Sequence, residues 1–457
     1  MEIESIQNKK TREQVQKVLD IFLKFKTEME VMEVIEGLTA LHIRMRAKEM
    51  VRMHIVKGFE NDLCYALGLQ GVEIEAPILG SSLIGVRIPK SEIDTLHWKD
   101  TVSSKKYKES VGDLTVPLGK DDFGNDLIVD VASLKHILIG GATGSGKSVF
   151  FHGLINSLLL KHPPYNLRFI LIDPKRVELT QYNGIPHLQH PTILDSKKSI
   201  MALRWASSEM ERRRETLEDN KLRDIEAYHK HRKELDEIMP HIIIAIDELS
   251  DAMLEYPKEM ELVLVRLAQS GHVVGIHLIV STSRPSVNVF TPSIRASFPT
   301  HVAFQTASPT DSKVILGVAG AEKLLGKGDM LFQSGDMRYP VRGQVAYISE
   351  KEIKANVEMT KKRFPDNSLG FDESTAPINI FAPKDVIFEN SDEYDDLYDE
   401  ARREVVQAGK ASTSYLQRKL SIGYARAARL IDMLEAKGVI GPGEGAEPRK
   451  VKEEAKQ

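Results

Sequence analysis

The sequence predicts an α/β protein. A mostly parallel, doubly covered sheet carries a phosphate-binding loop, a small α/β domain precedes it, and a helix-turn-helix module follows. Three observations support this. Gly141-Ala142-Thr143-Gly144-Ser145-Gly146-Lys147-Ser148 fits G-x-x-x-x-G-K-[ST] and directly follows the strand-like run 136–140. Five short Ile/Leu/Val-rich runs (135–139, 167–172, 241–246, 277–281 and 301–305) alternate with helical stretches, the pattern of strands buried on both faces. Finally, 394–450 reads as a compact helical module with a local excess of positive charge.

The chain of 457 residues is long enough for roughly two to four domains. With 42% hydrophobic and 28% charged residues it has the composition of a soluble globular protein, and its net charge of -4 means that any basic surface is local. A single cysteine, Cys64, excludes an internal disulfide framework and suits a reducing cytosol. No apolar run reaches the ~18 residues of a membrane span, and the charged start of the chain is no signal peptide. The expected location is cytoplasmic, or peripheral through a partner.

In chain order, 9–26 has helical spacing, with Val15, Val18, Leu19, Phe22 and Leu23 on one side. The runs 72–80 and 83–88 read as strands, and residues up to about 105 as the small α/β domain. The larger unit spans 106–365. Within it, 199–237 reads as a long charged helical insertion, whose triplet Arg212-Arg213-Arg214 is expected on a solvated face. Next, 366–393 is an acidic linker with Pro377, Pro383 and a lone basic residue, Lys384.

The chemistry gathers around the glycine-rich loop. Its glycines let successive N–H groups (Gly141 to Ser148) point at phosphate oxygens, and the helix expected at 149–161 adds its positive end. Lys147 is placed to reach β- and γ-phosphates, and Ser148 to ligate Mg²⁺. About a hundred residues on, the apolar run 241–246 delivers Asp247-Glu248 at its end. Asp247 is expected in the Mg²⁺ shell and Glu248 to polarise the attacking water. Asp173-Pro174-Lys175, Thr282-Ser283-Arg284 and Asp311-Ser312-Lys313 also lie at or near strand ends, where α/β sheets build sites. Each is readable as turn chemistry or as part of the site, with position favouring the site for Thr282 and Arg284.

Between 410 and 437 there are six basic and two acidic residues. Ser412-Thr413 reads as a cap before helix 414–420. The turn 421–423 leads to a second helix, 424–437, with Ala427, Leu430, Ile431 and Leu434 as its buried stripe. Arg426 and Arg429 project from another face, and a Gly/Pro-rich wing follows at 441–448. This is the pattern of a reading helix, with Arg418, Lys419, Tyr424, Arg426 and Arg429 as candidate DNA contacts.

These stretches, together with Gly184-Ile185-Pro186-His187-Leu188, Met210-Glu211-Arg212-Arg213, Gly275-Ile276-His277-Leu278 and the run 320–331, resemble the motor region of the FtsK/SpoIIIE family of bacterial DNA translocases over nearly the whole chain. The resemblance implies an α domain, a RecA-like P-loop NTPase β domain and a C-terminal winged-helix γ domain. It implies a homo-hexameric ring that uses ATP and Mg²⁺, and no other small-molecule substrate, to pump double-stranded DNA in chromosome segregation and cell division. A membrane-anchored or recombinase partner is also implied. Departures are visible. Ser283 stands where the family has a γ-phosphate-sensing Gln. His272 stands where the family has the Arg that completes a neighbour's site, which makes Arg266 and Arg295 alternative trans-acting cations. Ala425 stands where the family's γ domain has Asn, and the membrane-spanning region and long linker of the cell-division members are missing. Two other readings stay open: a conjugative or mobile-element DNA-transfer ATPase, and a nucleotide-gated DNA-binding adaptor without processive pumping.

Overall fold

The computed structural model describes residues 6, 8–69, 71–78, 81–90, 95–231, 238–365, 397–420, 427, 430–431, 434–435, 438–441 and 449–451. The chain divides into two compact units, Met1–Ala382 and Pro383–Gln457.

The first unit begins with helix Lys9–Lys24, capped by the Asn8 side chain, which accepts from the N–H groups of Lys10 and Thr11. Of its apolar stripe Val15, Val18 and Phe22 are buried, while Leu23 stays exposed. Four antiparallel strands follow, β1 (Met29–Glu36), β2 (Ala40–Ala47), β3 (Glu73–Glu75) and β4 (Ile84–Pro89), in the order β1-β2-β4-β3. The expected strand 72–80 shrinks to three residues, because the chain turns at Ala76-Pro77. Packing passes to the second sheet between Ile88 and Leu96, ahead of the expected boundary near 105. Leu96 and Trp98 already lie in the larger core, and the Trp98 indole N–H donates to Ser157 Oγ at 2.9 Å.

The second sheet has nine strands: β5 (Thr115–Asp121), β6 (Asp126–Asp130), β7 (Ile137–Gly140), β8 (Leu167–Ile172), β9 (His241–Ile246), β10 (Ile276–Thr282), β11 (Thr300–Phe304), β12 (Asp329–Gln333) and β13 (Val341–Val345). Their order is β6-β5-β13-β12-β11-β7-β10-β9-β8. The five expected strands form its parallel half, β11-β7-β10-β9-β8, with ends displaced by at most a residue or two. The other half is two antiparallel hairpins, so the sheet is mixed where a mostly parallel one was expected.

Alternation along the parallel strands feeds two cores. Leu138, Ile170, Ile244 and Leu278 face helices Ser196–Asp219 and Pro257–Ser270. Ile139, Phe169, Ile243 and Ile279 face helices Lys147–Lys161 and Glu350–Arg363. This is the period-two consequence of strands covered on both sides. The expected charged insertion is therefore a core helix on one side, followed by a turn and helix Ile225–His231. Residues 232–237 of that expected helix lie outside the described residues.

The solvated reading of the arginine triplet fails at its middle member. Arg213 is 2% exposed and donates through Nη1 to the carbonyls of Pro240 (2.8 Å) and Val274 (2.9 Å), and through Nε to Glu209. Burial alone would raise the Glu209 carboxyl, but Arg212 and Arg213 hold it at about 2. Arg214 does lie on the surface, with exposed ion pairs to Glu211 and Glu218.

In the second unit, helices Tyr398–Ala408 and Thr413–Leu420 pack with Ala427, Leu430, Ile431 and Leu434 in one core. Ser412 Oγ caps the second of these helices by accepting from the Tyr415 N–H at 3.2 Å. The strand Lys410–Ala411 pairs antiparallel with Arg449–Lys450, and Ile440 bridges Val451, so strands flank the expected wing. Residues 442–448 of the wing, the linker 366–393, Tyr424, Ala425, Arg426 and Arg429 lie outside the described residues. Among the described residues, no helix is long and apolar enough to cross a membrane.

Arg213→Ala takes the donor from the carbonyls of Pro240 and Val274 and removes one of the two guanidinium partners of Glu209, Arg212 remaining as the other. It is expected to lower stability by about 3 kcal/mol, whereas Arg214→Ala should change it by less than about 0.5 kcal/mol. Urea-denaturation midpoints of the two variants check the contrast.

Candidate nucleotide site

The parallel register places the functional residues at one sheet edge. Thr282 pairs with Gly140, Val280 with Ile246, and Ile172 with Ile246. The chain therefore leaves the strand ends as the loop 141–146, Asp247-Glu248, Ser283-Arg284 and Asp173-Pro174-Lys175 side by side.

The loop is shaped by close backbone approaches. Gly146 has φ +126°, and a Cβ there would sit 2.7 Å from the Gly328 Cα. The Gly328 N–H donates to the Ser145 carbonyl and the Ala142 N–H to the Gln305 carbonyl, so the run 320–331 is the shelf on which the loop rests. Helix Lys147–Lys161 starts two residues before the expected 149. Lys147 is buried, and its Nζ donates to the loop carbonyls of Gly141 (2.8 Å) and Ala142 (2.9 Å). Burial lowers the Lys147 ammonium pKa, against the opposing pull of Glu248 and Asp247.

Glu248 is the most constrained acid of the site. It stands in the left-handed region (φ 71°, ψ 76°), an uncommon conformation for a residue with a Cβ. Its carboxylate accepts from Lys175 Nζ (2.6 Å), Thr282 Oγ1 (2.7 Å), Ser250 Oγ (2.5 Å), the Ser283 N–H (3.1 Å) and the Ser283 hydroxyl. Burial pushes its pKa up, but Lys175 and these hydroxyls win and hold it at about 2. Asp247 moves the other way. Burial raises it, Ser281 Oγ (donating at 2.9 Å) opposes, and Asp173, Glu178 and Glu248 add like-charge repulsion.

Two residues that sequence reasoning passed over or left undecided belong here. Lys175 is a partner of Glu248, donating to its Oε2 at 2.6 Å. Asp173, by contrast, is turn chemistry: fully buried, it accepts from the N–H groups of Arg176, Val177, Glu178 and Leu179. Glu178 was not anticipated at all. His152 Nε2 at 3.1 Å holds its carboxyl below the ordinary value, burial opposes, and the Ser148 hydroxyl adds to the lowering. Its only sequence signal was an acid shortly after a strand-end motif.

The remaining candidates disperse. Arg284 is exposed, with its N–H on Thr282 Oγ1. Ser308 caps the helix carrying Asp311, and Ser312 Oγ braces Val318 and Ala321, so that motif is also turn chemistry. His272 precedes β10, a strand length of about 23 Å from Ser283, and its ring lies 5.8 Å from that of His136. Burial, then Lys135, lowers the His272 pKa below the ordinary imidazole value. Arg295 is tied to the Ile315 carbonyl at 3.2 Å. The Arg266 side chain is 59% exposed, with an ion pair to Glu211 at 3.4 Å. In the second unit Arg418 and Lys419 are exposed on their helix, with Lys419 at 3.3 Å from Glu404.

The donor set suits Mg²⁺. The Ser148 hydroxyl and the carboxylates of Asp247 and Glu178 are hard oxygen donors, and both the burial that raises Asp247 and the like-charge repulsion that adds to it are of the kind a divalent cation offsets.

Because Glu248 is depressed, its pairing contributes stability that is fully present above its ordinary 4.5 and lost as pH falls toward about 2. Lys175→Met should therefore destabilise the protein at pH 7 by about 1 kcal/mol after solvent screening. The two proteins' urea midpoints should converge as pH falls from about 5 to about 2.

Comparison with known proteins agrees with this geometry. The FtsK alpha domain model matches residues 1–90, the FtsK/SpoIIIE family model 98–287, and the FtsK gamma domain model 392–453. The chain is 42% identical to the DNA translocase FtsK of Caldanaerobacter subterraneus subsp. tengcongensis, over 98% of this chain and 62% of that one. It is 39% identical to the DNA translocase SftA of Bacillus subtilis, over 96% and 46% respectively. It thus spans roughly half to three-fifths of the relatives it matches. Among solved structures, the pCW3 conjugation coupling protein TcpA, in monomer form with ATPγS, superposes with a TM-score of 0.55 at 21% identity. That match covers 77% of this chain and 100% of TcpA, and it supports the fold. With the loop, its acidic partners and the C-terminal module matched in the same order along nearly the whole sequence, the chain belongs to the FtsK/SpoIIIE family.

Proposed function

We propose that this chain is the motor of an ATP-dependent double-stranded DNA translocase that works as a homo-hexameric ring on chromosomal DNA in the cytoplasm. The observation that carries the reading is the grip on Glu248. One carboxylate is shared by Lys175 of the neighbouring strand end, by Thr282 at the end of β10 and by Ser283 just after it, beside the phosphate-loop lysine.

In this reading Gly141–Ser148 cradle the ATP phosphates and Lys147 turns from its own carbonyls to the β- and γ-oxygens. When bound, Mg²⁺, held by Ser148 and Asp247, neutralises charge developing on the phosphates. With its pKa near 2, Glu248 remains a carboxylate and orients the attacking water by accepting its hydrogen bond. Ser283 touches that carboxylate directly, so it can report the nucleotide state to β10 although it is shorter than Gln. Of the trans-acting candidates Arg266 is favoured. It is a permanent cation whose side chain is 59% exposed and whose ion-pair partner, Glu211, is itself partly exposed, whereas burial lowers the His272 pKa and the half-buried Arg295 is held by the Ile315 carbonyl. The winged-helix module loads or orients the ring through Arg418, Lys419, Tyr424, Arg426 and Arg429.

Lys147→Ala should abolish ATP hydrolysis and triplex displacement while duplex binding persists. Undiminished DNA-stimulated turnover in that variant would sink the mechanism. Arg426→Ala combined with Arg429→Ala should weaken nucleotide-free duplex binding by the full chain about tenfold or more and leave basal ATP hydrolysis unchanged. Unaltered duplex affinity would remove the reading-helix assignment.

A further inference from the structure

At the edge opposite the phosphate loop, where the parallel strands begin, lies a cluster that the nucleotide chemistry does not use. His241 opens β9, His277 is the second residue of β10, His229 lies on helix Ile225–His231, and Asp113 lies in the segment before β5. One donor atom each of Asp113, His229 and His241 falls within 4.8 Å of the others.

The hydrogen bonds fix the tautomers. The Lys135 carbonyl can only accept, so His277 carries its proton on Nδ1, 3.0 Å away. In the fully buried neutral His277, Nε2 is then an acceptor, and it takes the Nδ1–H of His241 at 3.2 Å. With Nδ1 donating, the lone pair of the His241 ring falls on Nε2. This nitrogen is buried without a hydrogen-bond partner, in a residue 3% exposed, and it faces Asp113 Oδ2 at 3.7 Å. A lone pair facing a carboxylate is repulsive unless a cation sits between them. His229 is also anchored through one ring nitrogen. Its Nε2–H is donated to the Met239 carbonyl at 2.8 Å, so Nδ1 is its basic nitrogen. Metal-binding imidazoles are typically anchored like this, by donating the other N–H to a fixed acceptor. A cleft of about 430 Å³, lined by Asp113, Asp130, Glu226 and His229 with Lys230 as a lone cation, leads to the cluster and favours positive ions.

We propose that Asp113, His229 and His241 form a binding site for a divalent transition ion, zinc foremost, with solvent completing a tetrahedral shell. Two imidazoles and one carboxylate match zinc's preferred donors, and bonds of about 2.0–2.2 Å in a tetrahedral shell would draw the ligand atoms in from within 4.8 Å to about 3.4 Å of one another. The ion ties helix Ile225–His231 and the segment before β5 to the start of β9, the strand whose far end delivers Asp247 and Glu248.

The test uses the full, untagged chain after chelator treatment. Zn²⁺ titration with a competing dye should show one site per chain. Co²⁺ should give the intense visible bands of a tetrahedral ion, and added Zn²⁺ should raise the melting temperature. His229→Gln and Asp113→Asn, both away from the deepest core, should each weaken binding at least tenfold and remove the thermal shift, with ATP binding unchanged. Absence of stoichiometric Zn²⁺ uptake would overturn the site in favour of a protonated His241 paired with Asp113. Equal affinity in the variants, or an octahedral Co²⁺ spectrum, would overturn it by placing the ion elsewhere.

Discussion

Everything at the nucleotide edge depends on the register of four parallel strands. Gly140 pairs with Thr282, and Ile246 with both Val280 and Ile172, so four strands end level with one another. In a parallel sheet the strand ends of one direction share an edge, and the backbone groups there have left the ladder and are free to bind. A one-residue slip of β9 would turn Ile244 and Ile246 from one core to the other and carry Asp247 off its Ser281 partner. Two apolar cores, one per face, hold the register against that slip.

On this scaffold the acids take different roles through their surroundings. Glu248, fed by an ammonium, three hydroxyls and a backbone N–H, is a fixed carboxylate suited to orienting water. Asp247, crowded by like charges, is suited to a cation. The left-handed backbone at Glu248 is a local cost tolerated because five donors define where its carboxylate lies.

The antiparallel half of the sheet joins the nucleotide edge to the first sheet. Arg342 of β13 holds Asp329, which anchors the shelf beneath the phosphate loop, and reaches Glu73 of β3 at 3.0 Å. Arg87 of β4 pairs with Asp122 just beyond β5 at 2.8 Å, and Thr39 donates to the same carboxylate. These buried ion pairs are sensitive to geometry, since removing one partner leaves a charge stranded. Through them the shelf and the small sheet are joined by charge pairs at both Glu73 and Asp122.

The sequence by itself determined the parallel strands, the loop, the Asp247-Glu248 pair and the small basic module. Each is local: a glycine spacing, an apolar run of strand length, a cap residue followed by a periodic stripe. It did not reveal the antiparallel half of the sheet, whose strands are short and lack a clean alternation, nor that the charged helix around Arg213 is core. A charged run looks solvated until two distant carbonyls, Pro240 and Val274, are brought to it. Likewise only the tertiary structure separated Lys175 from Asp173, brought Glu178 to Ser148, turned His272 inward and gathered Asp113, His229 and His241. Those assignments depend on which groups from distant parts of the chain come within hydrogen-bonding distance, and that is decided by packing of the sheet and its helices.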